Sequence, residues 1–378
     1  AVHMPIGDGL GDKCARVEAL SRVRMCSVEQ QYSISNEPDL TLHACQQFAE
    51  VIKRYKRENG LLDFTDMLER YETELDVDIC IFDEAQDLSS LQYKMAINLS
   101  RAASKIYIAG DDDQAIFGWA GADIRKFLSL KGNRIVLPQS YRTPSAIHNF
   151  SKSICSRIKT RYDKEWNPRE EQGNVEWVAH EEELDLSGKQ SWMLLSRSKF
   201  FLTRFKKICQ QQGYAYKMFG ASSTDASETR AIISWESLRK GKSISVSEAK
   251  NLIQFIPTKI KLQDLQSYTL KDFGFSNEAK QHNWMTMLRN IAPDEREYLR
   301  ACLHNGEKFG DEPRITISTI HQVKGGEADN VALVTDMGGL SWKASTTDEE
   351  IRVWYVAATR ARKNLFLVRP RTLKFFDM

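Results

Sequence analysis

Nowhere does the 378-residue chain contain a Gly-rich loop ending in Gly-Lys-Ser/Thr, the element whose backbone N–H groups cradle the phosphates of a nucleotide. Nor is there an apolar run of about 18 residues or a signal-like N-terminus, so a soluble intracellular protein without a membrane partner is expected. The seven cysteines are odd in number and no two lie two to four residues apart, while the seven histidines are scattered. That spacing argues against both a disulfide framework and a zinc site. A net charge of +2 is too small to announce a polyanionic partner by itself. Internal repeats and low-complexity linkers are absent as well.

What is present is an ordinary globular composition, 42% hydrophobic and 28% charged, in a chain long enough for two to four compact units. The first sixty or so residues read as helices: Leu42, Cys45, Phe48, Ile52 and Tyr55 recur at helical spacing, and Asn59-Gly60 is a stop signal. The opposite side carries Lys53, Arg54, Lys56 and Arg57, expected to be a solvated charged face. From Asp76 the pattern changes to strands (Ile79–Phe82, Lys105–Ala109, Arg134–Leu137) alternating with helices (Ser89–Ala102, Asp123–Leu130), half of a doubly wound sheet. Cys80 falls inside the first strand and reads as a small core residue.

A second α/β pattern follows, with strands expected at Asn174–Val178, Trp192–Ser196, Tyr214–Met218, Arg314–Thr319, Asn330–Val334 and Leu365–Val368. It is interrupted between Ser222 and Pro313 by groups suited to short helices: Ile232, Trp235 and Leu238; Leu252, Phe255 and Ile256; Trp284, Leu288 and Ile291; Leu299 and Leu303. Pro257, Pro293 and Gly306 punctuate them.

Five stretches carry chemistry. Ile79–Phe82 runs into Asp83-Glu84-Ala85-Gln86-Asp87, and Ile106–Ala109 into Gly110-Asp111-Asp112-Asp113-Gln114-Ala115-Ile116-Phe117-Gly118-Trp119. Acids at the carboxyl ends of parallel strands are where an α/β sheet holds a metal and a nucleotide. Asp83 suits Mg²⁺ held through its water shell, and Glu84 suits activation of an attacking water. The third stretch, Gln139-Ser140-Tyr141-Arg142-Thr143-Pro144, offers an arginine for a γ-phosphate and a ring for a base. In the fourth, Ile317–Thr319 leads through Ile320-His321-Gln322-Val323-Lys324 to Gly325-Gly326-Glu327, a turn that lets the backbone approach a ligand. The fifth, Asp348–Arg362, is an acid-capped helix ending in a second candidate arginine, Arg360.

In this order, the five stretches resemble the superfamily 1A DNA helicases of the UvrD, Rep and PcrA type. Asp63-Phe64-Thr65-Asp66-Met67-Leu68 also looks like an element just upstream of that family's first acidic box. The resemblance implies two RecA-like P-loop NTPase-type α/β units with helical insertions, the first incomplete, and a chain that starts within the family's helical 1B subdomain. The implied divisions are 1–62 (1B-like), 63–138 (partial first unit), 139–222 with 312–378 (second unit) and 223–311 (short 2B-like insertion).

It further implies an ATP-dependent enzyme acting on single-stranded DNA or a duplex with a 3′ tail, in the cytoplasm of a bacterial or phage-infected cell. ATP and Mg²⁺ are the implied cofactors. By position, Asp83 would be the Mg²⁺ ligand, Glu84 the base and Gln114 the γ-phosphate sensor. Tyr141 would stack on adenine, Arg142 and Arg360 would be arginine fingers, and Glu327 would bind the ribose. Trp119, with Phe117, would stack on a DNA base, and His321 and Lys324 would lie on the DNA or phosphate side. A 3′→5′ direction is implied because Ala115-Ile116-Phe117-Gly118-Trp119 follows the coupling motif where 5′→3′ relatives of the RecD type usually carry prolines.

There are departures from the family pattern. Ala120 stands where relatives often have arginine, and Gly326-Glu327-Ala328 where they have Leu-Glu-Phe. Gly7–Cys14 is Gly-rich, but its spacing and its final cysteine are wrong for a phosphate loop. The chain by itself is therefore expected to be inactive in hydrolysis. The rival expectation is a non-catalytic DNA-binding or regulatory protein that has lost that loop.

Overall fold

The computed structural model describes residues 7–378 apart from 36, 38, 257–261 and 263–264. Pro257, expected to punctuate the insertion, lies outside the described residues. The chain forms two compact units. Unit 1 comprises the residues up to Gln139, together with Lys152–Asn167 and Ser345–Val356; unit 2 comprises Ser140–Ser151, Pro168–Ala344 and Ala357–Met378.

Unit 1 begins with α1 (Leu10–Arg24), α2 (Val28–Ile34), α3 (Leu42–Glu58) and α4 (Phe64–Glu69). Serine, threonine and aspartate caps start the last three: Ser27, Thr41 and Asp63 each accept a backbone N–H of the first turn. Cys14, Val17, Leu40 and Cys45 form the small core of this helical part. Lys56, expected on the solvated face of α3, instead turns to Asp63 (2.8 Å) and Asp66 (2.7 Å). The same two acids hold Arg22 of α1 at 2.9 and 2.6 Å, so the Asp63–Leu68 element ties three helices together.

Next come β1 (Ile79–Phe82), α5 (Ser90–Leu99), β2 (Lys105–Ile108) and α6 (Ile124–Leu128). β1 and β2 pair in parallel as a two-stranded sheet, Ile79 opposite Lys105 and Phe82 opposite Ile108. Cys80 is buried against this sheet, but Ile79, Ile81, Ile106, Tyr107 and Ile108 are exposed, Ile81 by 71%. The third expected strand, Arg134–Leu137, does not form: it is irregular, and Ile135 is 78% exposed. Arg134 explains why. Its guanidinium donates to the Leu128 and Leu130 carbonyls at 2.6 and 3.0 Å and lies over the Tyr162 ring, which ties the segment to the end of α6 instead of to a strand.

Strand pairing resumes with β3 (Gln139–Pro144), followed by α7 (Ser145–Cys155) and β4 (Asn167–Arg169), β3 and β4 making a separate two-stranded sheet. The body of unit 2 holds β5 (Asn174–Val178), β6 (Trp192–Ser196), α8 (Leu202–Gln212), β7 (Tyr216–Met218) and β8 (Ala221–Ser222). The insertion follows as α9 (Ser227–Arg239), β9 (Ile244–Ser245), α10 (Val246–Leu252), β10 (Ser267–Tyr268), α11 (Trp284–Met287) and α12 (Pro293–His304). The chain closes with β11 (Ile315–Thr319), β12 (Ala328–Val334), α13 (Gly339–Lys343), α14 (Asp348–Ala358) and β13 (Ala361–Val368).

The seven-stranded sheet runs β5-β13-β12-β6-β11-β7-β8 and is parallel except for the β7–β8 pair. Its central strands are mostly apolar and largely buried, Val331–Val334 completely, as expected of strands inside a parallel sheet. Unit 2 thus has the mixed α/β fold expected.

One domain expectation is corrected. Lys152–Asn167 and Ser345–Val356, assigned to the second unit, belong to unit 1, because their side chains bind the acidic turn after β2. The insertion belongs to unit 2, because Trp235, Leu238, Leu252, Trp284 and Leu299 share one core with Leu194, Ile315 and Ile317 of the sheet. Among the described residues, no helix is long and apolar enough to cross a membrane.

Candidate nucleotide and DNA site

In unit 1, the strand pairing brings the ends of β1 and β2 together. The Ala109 N–H donates to the Phe82 carbonyl at 2.8 Å, and the Ala85 N–H to the Ala109 carbonyl at 2.9 Å. Asp83 is exposed at the strand end, and its Oδ1 accepts the Glu84 N–H at 2.8 Å. Glu84 sits in the left-handed region, φ 51° and ψ 36°. That conformation is costly for a residue with a Cβ and clusters at functional sites.

Gln86, fully buried, joins the two strand ends: its Nε2 donates to Glu84 Oε2 at 2.5 Å, and its Oε1 accepts the Asp111 N–H at 3.0 Å. A Cβ on Gly110 would meet Gln86 Oε1 at 2.5 Å, so glycine is required there. Gln114 Nε2 then donates to Asp111 Oδ2 at 2.7 Å. The acid of β1 is thereby linked, bond by bond, to the turn that carries Phe117 and Trp119.

The three aspartates after β2 are neutralised by the chain itself. Their carboxylate oxygens lie within 4.8 Å of one another. Lys164 reaches Asp111 (3.1 Å), Asp113 (2.8 Å) and Asp112, while Arg161 grips Asp113 at 2.9 and 2.8 Å. Burial pushes the Asp113 carboxyl up, but the hydrogen bond from Arg161 and the charge of Lys164 outweigh it and hold it below its ordinary range. The Lys164 ammonium already occupies the centre of the cluster.

α14 is fixed to the same turn. Arg352 Nε donates to the Asp112 carbonyl at 2.8 Å, and the N–H groups of Lys159 and Thr160 donate to Asp348 at 2.9 and 2.7 Å. Trp119 projects from the turn with 53% exposure, edge-on to Phe117 at 6.3 Å. It is not a core residue.

In unit 2, Tyr141 is 85% exposed. Arg142 Nε donates to Glu327 Oε2 at 2.5 Å, and Arg362 reaches Glu327 Oε1 at 3.1 Å. The Arg142 hydrogen bond holds the Glu327 carboxyl below its ordinary range against a smaller opposing effect of burial. Arg360 is buried, its Nη1 donating to the Gly326 carbonyl at 3.2 Å and its Nη2 to Thr359 Oγ1 at 3.3 Å. Gly325 turns the chain with φ 86°, in the left-handed region glycine tolerates. His321 lies in the short turn Ile320–Val323 after β11, with Lys324 next to it, both half-buried.

Five residues assigned separate tasks from the sequence are thus gathered in two groups. Arg142, Glu327 and Arg360 come together around the Gly325-Gly326 turn, and Glu84 and Gln114 are linked through Gln86 and Asp111. Arg362, Arg161, Lys164 and the bridging role of Gln86 were not foreseen. Arg362 had a local signal, two positions beyond Arg360 in the same stretch. Arg161 and Lys164 had none, lying 48 and 52 residues from the acids they bind.

Residues 15–134 match the family model of the UvrD/REP helicase N-terminal domain, and residues 202–371 that of the UvrD-like helicase C-terminal domain. With both halves matched in order, the chain belongs to the UvrD-type superfamily 1 helicase family.

It is similar to the ATP-dependent DNA helicase Rep of Buchnera aphidicola, 25% identical over 194 residues, 46% of this chain and 29% of that protein. It is similar also to DNA helicase II of Haemophilus influenzae, 38% identical over 88 residues, 22% of this chain and 12% of the relative. The ATP-dependent DNA helicase PcrA of Staphylococcus aureus is 29% identical over 150 residues, 34% of this chain and 20% of the relative. The matches thus span under a third of each relative's length.

Proposed function

We propose that this chain carries the hydrolysis-coupling and DNA-contacting residues of an ATP-dependent helicase that moves 3′→5′ on single-stranded DNA and unwinds duplexes with a 3′ tail. The observation that carries the reading is the hydrogen-bonded chain Glu84–Gln86–Asp111–Gln114, which runs from the strand-end acid to the turn bearing Trp119. The relatives' names, ATP-dependent DNA helicases, support the substrate pair.

In this reading Asp83, exposed and oxygen-bearing at a strand end, holds Mg²⁺ through water, and the ion neutralises charge on the phosphates. Glu84 orients and deprotonates the attacking water. Gln114 senses the γ-phosphate, and its bond to Asp111 passes the presence of that group to the Phe117–Trp119 turn. Tyr141 stacks on adenine and Glu327 takes the ribose hydroxyls. Arg142 and Arg360 supply positive charge to the transferring phosphoryl group. Nucleotide binding then draws Arg142 away from Glu327, with Arg362 left to hold the carboxylate.

On the DNA side, Trp119 and Phe117 form the stacking platform, with His321 and Lys324 as donors to the backbone. The 53% exposure of Trp119 supports this role. The chain lacks the Gly-Lys-Ser/Thr loop, and the positioning of a triphosphate depends on that loop.

Strand displacement on tailed duplexes, by a version that carries a phosphate loop, tests the reading. Unwinding from a 3′ tail is expected. Unwinding only from a 5′ tail overturns the direction, and DNA binding with no ATP turnover favours a regulatory DNA-binding protein.

A further inference from the structure

Two polar clamps hold the backbone of the Trp119 turn from opposite sides. On one side the Trp119 N–H donates to Glu349 Oε1 of α14 at 3.1 Å, and the carboxylate packs so close that a Cβ on Gly118 would lie 2.7 Å from Glu349 Oε2. On the other side Arg24, at the end of α1, donates through Nη2 to the Gly118 carbonyl at 2.8 Å. Both polar groups of the Gly118–Trp119 peptide unit are therefore fixed by side chains that lie far away in sequence.

Each clamp is itself anchored. Arg24 Nη1 donates to Oε1 of the buried Gln31 at 2.9 Å. Glu349 sits between Asp348, which accepts two backbone N–H groups, and Glu350, which accepts the Trp354 Nε1–H at 3.1 Å. Just beyond the turn, Gly121 has φ 97° and packs against Val23 of α1, where a Cβ would meet Val23 Cγ2 at 2.5 Å. The indole side chain is half-exposed.

We propose that Glu349 and Arg24 are positioning residues for single-stranded DNA: they fix the Gly118–Trp119 backbone so that the indole is presented ready to stack. This rests on the stacking role of Trp119. A stacking ring that must first be ordered loses part of its binding free energy to that ordering, and a pre-fixed backbone avoids the loss. The inference makes an unusual claim about charge. Deleting a carboxylate beside a polyanion ordinarily tightens binding. Here deleting Glu349 weakens it, because the hydrogen-bond acceptor matters more than the charge.

The experiment measures binding of a fluorescently labelled oligothymidylate by fluorescence anisotropy, with folding checked by circular dichroism. Trp119→Ala should weaken binding about 5- to 150-fold, the range for one stacked base. Glu349→Ala should weaken it about two- to tenfold, the worth of one hydrogen bond. In the Trp119→Ala background the same change should do nothing or tighten binding. Glu349→Gln, which keeps an acceptor oxygen but drops the charge, should bind as well as the unaltered chain or better.

Equal weakening by Glu349→Ala with and without Trp119 overturns the inference alone. Tighter binding by Glu349→Ala in the unaltered background also overturns it. Unchanged binding in Trp119→Ala overturns the stacking reading and the inference with it. Should Glu349→Ala not fold, Arg24→Met opens the opposite clamp and is read in the same cycle, with the same two outcomes.

Discussion

Gln86 and Glu84, two positions apart, are joined by a 2.5 Å hydrogen bond from the Gln86 amide to the Glu84 carboxylate, and the left-handed backbone of Glu84 is what turns the two side chains toward each other. The other end of the Gln86 amide accepts the Asp111 N–H. One buried side chain thus bridges the acid after β1 and the turn after β2.

Replacing Gln86 by leucine should cost about 1–3 kcal/mol, because it leaves the buried Asp111 N–H without its acceptor. Urea unfolding of the purified chain checks this. A midpoint unchanged within error would mean that the amide is dispensable to the fold.

Glu84→Gln, in a version that carries a phosphate loop, should abolish DNA-stimulated ATP hydrolysis while sparing ATP binding. The change keeps the size of the side chain and a hydrogen-bonding oxygen for Gln86, but removes the base. ATPase rates within a few-fold of the unaltered protein would refute the assignment of Glu84.

Acid should loosen unit 1. The Asp113 carboxyl is held below its ordinary value in the folded chain by Arg161 and Lys164 despite burial, and Asp63 is likewise held low by Lys56, the Asp66 N–H and Arg22 against burial. Groups depressed in the folded state stabilise it above the unfolded pKa of about 3.9, and that stabilisation is lost as pH falls toward the folded value. Thermal melts should therefore drop steeply below about pH 4. Asp113→Asn should cost up to about 3 kcal/mol at pH 7, since it breaks a largely buried ion pair, and should flatten the acid limb. A parallel acid limb in the variant would sink the assignment.

The chain as it stands should not hydrolyse ATP. It has the acid, the glutamine and the arginines, but no Lys and hydroxyl in a phosphate loop to anchor the β- and γ-phosphates and Mg²⁺. An ATPase assay with single-stranded DNA and Mg²⁺ decides this. Turnover that vanishes in Glu84→Gln would reveal a phosphate-binding element elsewhere, with Gly7–Cys14 the first to test.

Local pattern alone was enough for much of the architecture. Ile79–Phe82, Asn174–Val178 and Trp192–Ser196 form strands at the bounds read from their apolar runs. For Trp192–Ser196 the reason is burial inside a parallel sheet, which demands continuous apolar side chains, a property of a few adjacent residues. Asp83, Glu84, Gln114 and Trp119 were legible for a similar reason, since each sits at a fixed short distance from such a run.

Arg134–Leu137 has an apolar pattern of the same kind and is not a strand, because a strand also needs a partner and Arg134 is bound to the end of α6 instead. The consecutive acids Asp348, Glu349 and Glu350 read only as a helix cap. Tertiary structure gave Asp348 two backbone N–H groups and Glu349 the Trp119 N–H, while Glu350 takes the Trp354 indole one turn on in the same helix. Arg24, Arg161 and Lys164 carry no local signal; the fold alone brings them to the turn after β2. Sequence alone determined most strands of the two parallel sheets, the acids that follow them and the family, all of which are written in neighbouring residues. Only the tertiary structure decided which charges meet, because an ion pair or a backbone clamp depends on distances between segments that no local pattern records.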